Sequence, residues 1–255
     1  MNILKVGFQK IYKLPFKFYW LICKLLRTDS VYSIYGVKLS SNFTDQTFRF
    51  CLKGTYGYQF SSFLQNKNTP FIFLDIGANQ GLFSLIAARN SQCRHIWAFE
   101  PVEKTYELLE KNIFLNNFSF KVSGINKAIS ETDQNLVIGL QPNHSGGASL
   151  LDGKNARNSE VIHCMTGLDL NDLIDIKNNE QIVIKIDTEG YEPIVVAQLK
   201  LTKFWNSITH FYIEIDENRH ADKDVVRSLI NEGFTEILRT SSDSKHYDIL
   251  LHRHL

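Results

Sequence analysis

Residues 71–81 restrict the fold of this chain more than any other stretch of its sequence. An apolar run, Phe71–Ile76, contains one acid, Asp75, and is followed by Gly77 and Gly81 and then by an apolar helix-forming segment. Such a short run is typical of a buried parallel strand, and glycines after it favour a tight turn into a helix. Glycine lets the backbone approach a ligand closely, and the first N–H groups of the helix face the same crevice. This stretch therefore predicts an α/β fold with a cofactor crevice.

A second predicted strand, residues 94–99, ends in an acid, Glu100, which is followed by Pro101. Nucleotide-binding α/β folds hold the ribose hydroxyls with an acid that lies about 20 residues after the first glycines. The glycine spacing here lacks the third glycine of a dinucleotide fingerprint. We therefore expect Glu100 to bind a ribose diol and to disfavour a 2′-phosphate, and a solvated loop acid is the alternative.

Composition and cysteine spacing narrow the class of protein. The chain has 255 residues, 44% of them hydrophobic, which is enough for one large domain with a sizeable core. The net charge of +1 gives no reason to expect a nucleic acid as partner. The four cysteines are far apart, which indicates neither a disulfide framework nor a thiolate zinc site. We expect a cytoplasmic protein with a catalytic domain over 61–255 and an N-terminal cap over 1–60, and the sequence does not predict its oligomeric state.

Residues 1–28 are basic and aromatic, with six cations before the first acid, Asp29. The lysines recur too often for a membrane-spanning helix, and no small-residue cleavage site follows. Two interpretations stay open: a helix packed on the catalytic domain, or an interfacial helix that contacts anionic lipid at the inner face of the membrane. Further along, alternating apolar residues predict that Tyr32–Leu39 and Phe43–Leu52 form a small antiparallel hairpin.

The middle of the chain continues the alternation of helices and strands. Apolar residues between Val102 and Ile113 recur at helical spacing, and Phe118–Ile125 is the third predicted strand. A polar stretch, 142–149, contains His144 and two glycines and is predicted to be a lid or binding loop. His144 is a candidate proton acceptor near neutral pH, and an exposed histidine without a role is the alternative.

A further apolar run, residues 182–186, also ends in an acid, Asp187, and the chain then turns through Glu189 into a helix with Pro193 in its first turn. We expect this strand to lie across the topological switch point from Asp75, where ligands bind at the carboxyl ends of parallel strands. Asp187 is the first candidate for a base or an acceptor anchor, whereas Glu189 could instead complement the helix dipole.

Two further patterns lie in the C-terminal part of the chain. Asp187, Glu189 and Glu214 could hold a divalent metal, but no spacing demands one, and we predict no metal site. Residues 235–238 and 246–251 are predicted to form a final antiparallel pair, so that the last strand opposes an otherwise parallel sheet.

Four ordered stretches resemble a known family. They are Phe-Leu-Asp-Ile-Gly-Ala-Asn-Gln-Gly at 73–81, Ala-Phe-Glu-Pro at 98–101, Asn-Lys-Ala-Ile-Ser at 126–130 and Lys-Ile-Asp-Thr-Glu-Gly-Tyr-Glu at 185–192. Together they resemble the FkbM family of S-adenosylmethionine-dependent methyltransferases, which typically methylate hydroxyl groups of sugars or sugar-bearing natural products. The resemblance implies an α/β, Rossmann-like class I methyltransferase fold: a mostly parallel seven-stranded sheet with an antiparallel last strand and helices on both faces.

The resemblance also implies roles for individual residues. Those around the cofactor are Asp75, Gly77, Asn79 and Gly81 at the methionine portion, Glu100 and Pro101 at the ribose, and Asn126 and Ala128 at the adenine. Asp187 and Glu189 would lie by the transferred methyl group and the acceptor, and His144 stays a second candidate base. Departures from the usual family pattern at Gln80, Thr188 and Tyr191 leave the cofactor inference intact but weaken inference about the acceptor.

These inferences predict an O-methyltransferase that uses S-adenosylmethionine to modify a sugar or glycan-type acceptor. Two other classes of protein explain less of the sequence. An NAD-dependent oxidoreductase would explain the first strand and Glu100, but not the missing third glycine or the acidic cluster at 187–189. A noncatalytic scaffold with this fold would be expected to lose the acids at the strand tips, and all of them are present.

Overall fold

The computed structural model describes residues 15–151, 157–176, 180–218, 222–241 and 245–254, so the N-terminal prediction for residues 1–14 lies outside the described residues. The first half contains helix α1 over 15–25, then β1 (Ser30–Tyr32), β2 (Lys38–Ser40), α2 (Gln46–Lys53), α3 (Tyr58–Asn66), β3 (Phe71–Ile76), α4 (Leu82–Arg89), β4 (Cys93–Phe99), α5 (Glu103–Leu115) and β5 (Val122–Ile125). The second half contains β6 (Ala128–Ile129), β7 (Leu136–Gln141), β8 (His144–Ser149), β9 (Ser159–Ile162), β10 (Cys164–Met165), α6 (Leu170–Leu173), β11 (Gln181–Ile186), α7 (Glu192–Leu199), β12 (Ile208–Asp216), α8 (Asp222–Asn231), β13 (Thr235–Ser241) and β14 (His246–His252).

The central sheet has seven strands in the order β5-β4-β3-β11-β12-β14-β13. The pairs from β5 to β12 are parallel, whereas β14 runs antiparallel to both β12 and β13. This strand order, with its reversed last strand, is that of class I methyltransferases, and it confirms the predicted fold class. The switch point lies at β3, because the chain leaves it toward β4 on one side and returns at β11 on the other.

Alternating side chains of the strands build two cores, one on each face of the sheet. In β3, Phe71 and Phe73 join the core beneath α3 and α4, while Ile72, Leu74 and Ile76 join the core beneath α7 and α8. Both faces of a parallel sheet are covered in this way, which explains why the strands are continuous apolar runs in the sequence. The cores hold the carboxyl ends of β3, β4 and β11 rigidly side by side.

The predicted hairpin between Tyr32–Leu39 and Phe43–Leu52 is wrong in its second half. The actual hairpin pairs β1 with β2, and residues 46–53 form the helix α2 instead of a strand. Asp45 caps this helix by accepting a hydrogen bond from the N–H of Phe48 at 2.8 Å. The buried side chains of α2 are spaced as on a helix face, at Phe48, Cys51 and Leu52. The capping acid and this helical spacing favour a helix more strongly than the short alternation of apolar residues favours a strand.

The predicted loop at 142–149 is also corrected by the structure. Residues 144–149 form the strand β8, which pairs antiparallel with β7, and β7 pairs in turn with β9. The connection is only two residues long, and its second residue, Asn143, takes the left-handed conformation with φ 58°, which asparagine tolerates better than most residues. His144 therefore lies on a paired strand, which limits its freedom compared with a loop residue.

Candidate active site

A crevice of about 300 Å³ opens at the carboxyl ends of β3, β4 and β11. Residues of α2 and β8 form its opposite wall, so that the N-terminal segment and the β7–β8 hairpin both contribute to it. Of the residues predicted from sequence, the structure brings together along this crevice Gly77, Asn79, Glu100, Pro101, Ala128, His144, Asp187 and Glu189.

Glu100 lies at one end of the crevice, directly after β4. Its two carboxylate oxygens accept hydrogen bonds from the backbone N–H groups of Asn79, at 2.9 Å, and Val102, at 3.0 Å. Burial raises the pKa of Glu100 to about 7, although both N–H groups and the charge of Lys185 favour its ionised form. A carboxylate oxygen has more than one lone pair, so Glu100 can still accept hydrogen bonds from a ligand diol. The acid thus holds the turn after β3 in place and presents an acceptor to the crevice.

Asp75 does not line the crevice. Its carboxylate is fully buried, and one oxygen accepts hydrogen bonds from the backbone N–H of Ser84 at 3.0 Å and from the hydroxyl of Ser84 at 2.7 Å. Ser84 lies in the first turn of α4, where backbone N–H groups lack partners within the helix. Asp75 therefore connects β3 to α4. It has this structural role instead of the expected direct contact with the methionine portion of the cofactor.

Gly81 and Asn126 also lie behind the crevice wall. Gly81 begins α4 at a point where a side chain would overlap Leu109 of α5. The amide nitrogen of Asn126 donates to the carbonyl oxygens of Glu100, at 3.0 Å, and Pro101, at 3.1 Å. Asn126 therefore shapes the turn that carries Glu100, and its amide N–H groups are used there instead of at an adenine ring.

Replacement of Gly77 by Ala is expected to lower the free energy of unfolding by about 2–3 kcal/mol. Gly77 has φ 73°, and a Cβ there would overlap the backbone carbonyl oxygen of Asp187. Gly36 is a matched control because its φ is also 73°, but its added Cβ would meet only the movable guanidinium of Arg89. Urea unfolding of both variants measures the difference: Gly36→Ala should lose only about 1 kcal/mol of conformational strain. Equal losses would contradict a close approach of β3 and β11 at this point.

Asp187 lies at the other end of the crevice, directly after β11. The hydroxyl of Tyr56 donates to one of its oxygens at 2.5 Å, and the ammonium of Lys185 lies 3.3 Å from the same oxygen. Burial alone would raise the pKa of Asp187, but Lys185 and hydrogen bonds from Glu214 and Tyr56 outweigh burial and lower it. Asp187 is therefore an ionised carboxylate at neutral pH, held in one orientation by its neighbours.

Lys185 lies between Asp75 and Asp187, the acids predicted from the apolar runs of β3 and β11. Its ammonium lies 3.6 Å from Asp75 and 3.3 Å from Asp187, and it donates to the carbonyl oxygen of Gly77 at 2.5 Å. Burial tends to lower the pKa of Lys185, but the charges of Asp187 and Asp75 overcome this and raise it. One buried cation thus compensates acids at the ends of two neighbouring strands.

Glu214 and Glu189 complete an acidic cluster around Asp187. One carboxylate oxygen from each of these acids lies within 4.8 Å of the others, a set of oxygen ligands that could hold a divalent ion. Burial raises the pKa of Glu214 well above its ordinary value, and the charges of Asp187 and Glu189 add to this. The ring of His246 lies against the cluster, with its Nε2 2.8 Å from Glu214.

His144 also lines the crevice, and its Nδ1 lies 3.2 Å from the side-chain oxygen of Gln141. The next residue, Ser145, fixes this strand to the N-terminal segment, because its backbone N–H and hydroxyl both contact Asp45, at 2.8 and 3.0 Å. The side-chain amide of Gln80 also donates to Asp45, at 2.6 Å. A polar residue at position 80, unusual for the resembled family, thus connects the turn after β3 to the opposite wall.

Comparison with known proteins places the chain in a described family. The family model that describes the Vibrio cholerae RfbT protein matches residues 58–251, which is more than half of the chain. The chain belongs to this RfbT family. The matched residues include the strands of the central sheet, apart from the last residue of β14, and both Glu100 and Asp187.

Individual proteins similar to this RfbT family chain match only part of it or share few identical residues with it. A fungal protein, methyltransferase sdnD of Sordaria araneosa, is 34% identical over 96 residues, which are 37% of this chain and 37% of that protein. The M. jannaschii tRNA m1G37 methyltransferase is 15% identical with a TM-score of 0.49, over 89% of this chain and 56% of that one. An O-methyltransferase from Bacillus cereus, solved with SAH, is 14% identical with a TM-score of 0.47, over 78% and 81% of the two chains.

Several residues that line the crevice were missed or underrated from sequence. The sequence gives Tyr56 no role in the acidic cluster, yet its hydroxyl donates a hydrogen bond to Asp187, 131 positions away in the sequence. Thr47, Ser145 and His246 gave no signal, because α2, β8 and β14 bring them to the crevice through tertiary packing. The helical spacing within α2 was the one available clue, since it would have placed Thr47 on a helix.

Proposed function

We propose that this chain is an S-adenosylmethionine-dependent methyltransferase that acts on a hydroxyl group of a sugar or glycan-type acceptor. The observation that carries the proposal is one continuous crevice with an acceptor for a ribose diol, Glu100, at one end and an ionised carboxylate, Asp187, at the other. The methyltransferase strand order of the sheet and the name of the fungal relative support the same activity.

The residues present fit this cofactor. Glu100 offers its carboxylate to the ribose, and the apolar side chains of Phe99, Val102 and Ile129 line the same end of the crevice, where they suit the adenine ring. Toward Asp187, the backbone at Gly77 and Asn79 has positive φ and lines the crevice directly, which leaves room for an amino-acid tail. An acidic cluster at the far end favours a cationic sulfonium over a neutral or anionic group.

S-adenosylmethionine supplies a methyl group on a positively charged sulfur that an alcohol oxygen can attack in line. The task of the protein is therefore to orient the acceptor hydroxyl and to stabilise positive charge. Asp187 can accept a hydrogen bond from that hydroxyl while Lys185 and Tyr56 keep its carboxylate fixed. Because its pKa is lowered, Asp187 serves better as an orienting and charge-stabilising group than as a strong base. His144, which also lines the crevice, stays a candidate proton acceptor.

A sugar hydroxyl is the acceptor that we propose. The four stretches that resemble the FkbM family support it, and so do the polar groups near the acidic end of the crevice, which include Thr47, Ser145 and Glu189. A polyhydroxylated acceptor can form several hydrogen bonds with such a wall. The four cysteines are free and buried, which supports the reducing cytoplasm as the place of action.

Mass spectrometry of the glycan fraction tests the proposed activity. Extracts from cells with and without the gene are incubated with the purified chain and S-adenosylmethionine. A mass gain of one CH₂ group, absent with the Asp187→Asn variant, is the expected result. A mass gain only in protein or nucleic acid fractions would overturn the proposed acceptor, and none in any fraction would overturn the activity.

The affinity for S-adenosylhomocysteine should rise with pH. The ionised form of Glu100 is the better acceptor for two ribose hydroxyls, so cofactor binding favours loss of its proton. Because burial places the pKa of Glu100 at about 7, affinity should be about tenfold weaker at about pH 6 than at about pH 8. Calorimetric titration across this range measures the effect. Glu100→Gln should abolish the dependence, and a dependence that survives this change would contradict the assignment of Glu100 to the ribose.

A further inference from the structure

The described part of α1 has one face packed on the domain. Trp20 and Cys23 are buried in the core beneath α3 and α4, and Phe16 and Tyr19 pack against the same core. The indole N–H of Trp20 donates to the carbonyl oxygen of Tyr32 at 2.9 Å, and the N–H of Tyr32 donates to the hydroxyl of Tyr19 at 3.1 Å. These contacts fix α1 against β1, so α1 is part of the folded domain.

The opposite face of α1 is apolar and faces solvent. Phe18, Leu21, Ile22 and Leu25 are 65%, 54%, 54% and 73% exposed. Their spacing of three, one and three residues places them in a single stripe on the side away from Trp20 and Cys23. An exposed stripe of four large apolar side chains is unusual for a surface helix and indicates an interaction surface.

Every charged residue of the sequence up to the end of α1 is positive. Lys17 and Lys24 lie on the described helix and Arg27 follows it, and Lys5, Lys10 and Lys13 precede it in the sequence. The first acid of the chain is Asp29, although the chain as a whole has a net charge of only +1. The N-terminal segment that carries the stripe is therefore strongly basic in sequence, and its charge is balanced elsewhere in the chain.

We propose that the outer face of α1 docks on an anionic lipid surface, with the stripe in the boundary between headgroups and acyl chains and the flanking cations on lipid phosphates. Such a division of apolar and basic residues is what an interfacial helix requires. Within the part of the chain that the structure describes, no helix is long and apolar enough to cross a membrane. A second copy of the chain is a poorer occupant, because a symmetric contact would bring lysines against lysines.

Docking would act on the rest of the domain through the N-terminal segment. The N–H of Ile34 donates to the carbonyl oxygen of Leu52 at 3.0 Å, which joins the β1–β2 hairpin to α2. Thr47, Phe50 and Cys51 of α2 line the crevice. The docked helix and one wall of the crevice therefore belong to one packed unit, which suits an acceptor that is itself attached to lipid.

Co-sedimentation of the full chain with vesicles tests the proposal. Vesicles of phosphatidylcholine alone are compared with vesicles that also contain phosphatidylglycerol, at low and high salt. We expect binding only to the anionic vesicles, weaker at high salt because the flanking charges are screened. Leu21→Gln with Leu25→Gln, and separately Lys17→Glu with Lys24→Glu, should each weaken binding at least about tenfold.

Matched variants keep the test specific. Leu168→Gln with Leu201→Gln removes two leucines that are 60% and 54% exposed elsewhere, and Lys104→Glu with Lys111→Glu reverses two exposed lysines of α5. Both controls should bind vesicles as the parent does, and all variants should bind S-adenosylhomocysteine unchanged, so the outcome is independent of the proposed activity. Equal binding by the α1 variants and their controls, or a dimer in light scattering that the α1 leucine variant abolishes, would overturn the proposal.

Discussion

Replacement of Lys185 by Met is expected to lower the free energy of unfolding by about 3–5 kcal/mol at neutral pH. Lys185 is only 2% exposed and lies between the carboxylates of Asp75 and Asp187. Removal of the ammonium leaves two acids near each other without their cation, and each must then be buried uncompensated or take up a proton. Urea unfolding at about pH 7 measures this loss.

The pH dependence of the same variant gives an independent check. Asp187 has a lowered pKa in the native parent, so it stabilises the fold above the pKa of an unfolded Asp, and this contribution is lost as the pH falls. Without the ammonium, both acids should take up protons at a higher pH than they do in the parent, so the difference between Lys185→Met and the parent should shrink toward about pH 4. Lys200→Met is the control, because the pair of Lys200 with Glu232 at 2.8 Å is partly exposed and should contribute less than about 1 kcal/mol. A loss no larger than that of the control would contradict the buried triad.

Replacement of Asp187 by Asn is expected to lower kcat by about 10²–10³-fold. Asparagine keeps the shape of the side chain but removes the charge that Lys185 and Tyr56 orient toward the crevice. The affinity for S-adenosylmethionine, whose sulfur is a cation, should also fall, whereas the affinity for the product, whose thioether sulfur is neutral, should change little. Steady-state kinetics together with calorimetry of both cofactor forms separates these effects.

Two controls show whether a lower kcat of Asp187→Asn comes from the lost charge. Unchanged binding of the thioether product shows that Asp187→Asn is folded. Replacement of Asp172, an exposed acid on α6, by Asn should leave kcat unaltered. An Asp187→Asn variant with parental kcat would mean that the acceptor is oriented elsewhere in the crevice.

The sequence predicted the elements whose signal is local. The strands β3, β4 and β11 are short apolar runs that end at an acid or a glycine, and their order in the sheet follows from the rules for parallel strands. Their carboxyl ends therefore met where expected, with Glu100 and Asp187 on one crevice. The C-terminal pair was also predicted correctly, because two β-rich runs flank a short polar turn.

The features that sequence reasoning misassigned depend on tertiary packing. Asp75 follows the same pattern as Asp187, yet it is fully buried because Ser84 and Lys185 supply its partners beneath the crevice. No pattern in a single strand distinguishes an acid that faces the crevice, such as Asp187, from one that faces a packed helix, such as Asp75. The contact between Tyr56 and Asp187 similarly requires α3 to pack beside the sheet, which residues 56–58 alone do not indicate.

Calorimetric titration of the full chain with S-adenosylmethionine, its thioether product and NAD tests the central claim most directly. Our account predicts that the first two ligands bind a single site and that NAD does not. It also predicts that Glu100→Ala weakens cofactor binding by about 1–3 kcal/mol, while Glu107→Ala, an exposed acid on α5, leaves it unchanged. Binding of NAD alone, or full cofactor affinity in the Glu100→Ala variant, would contradict it.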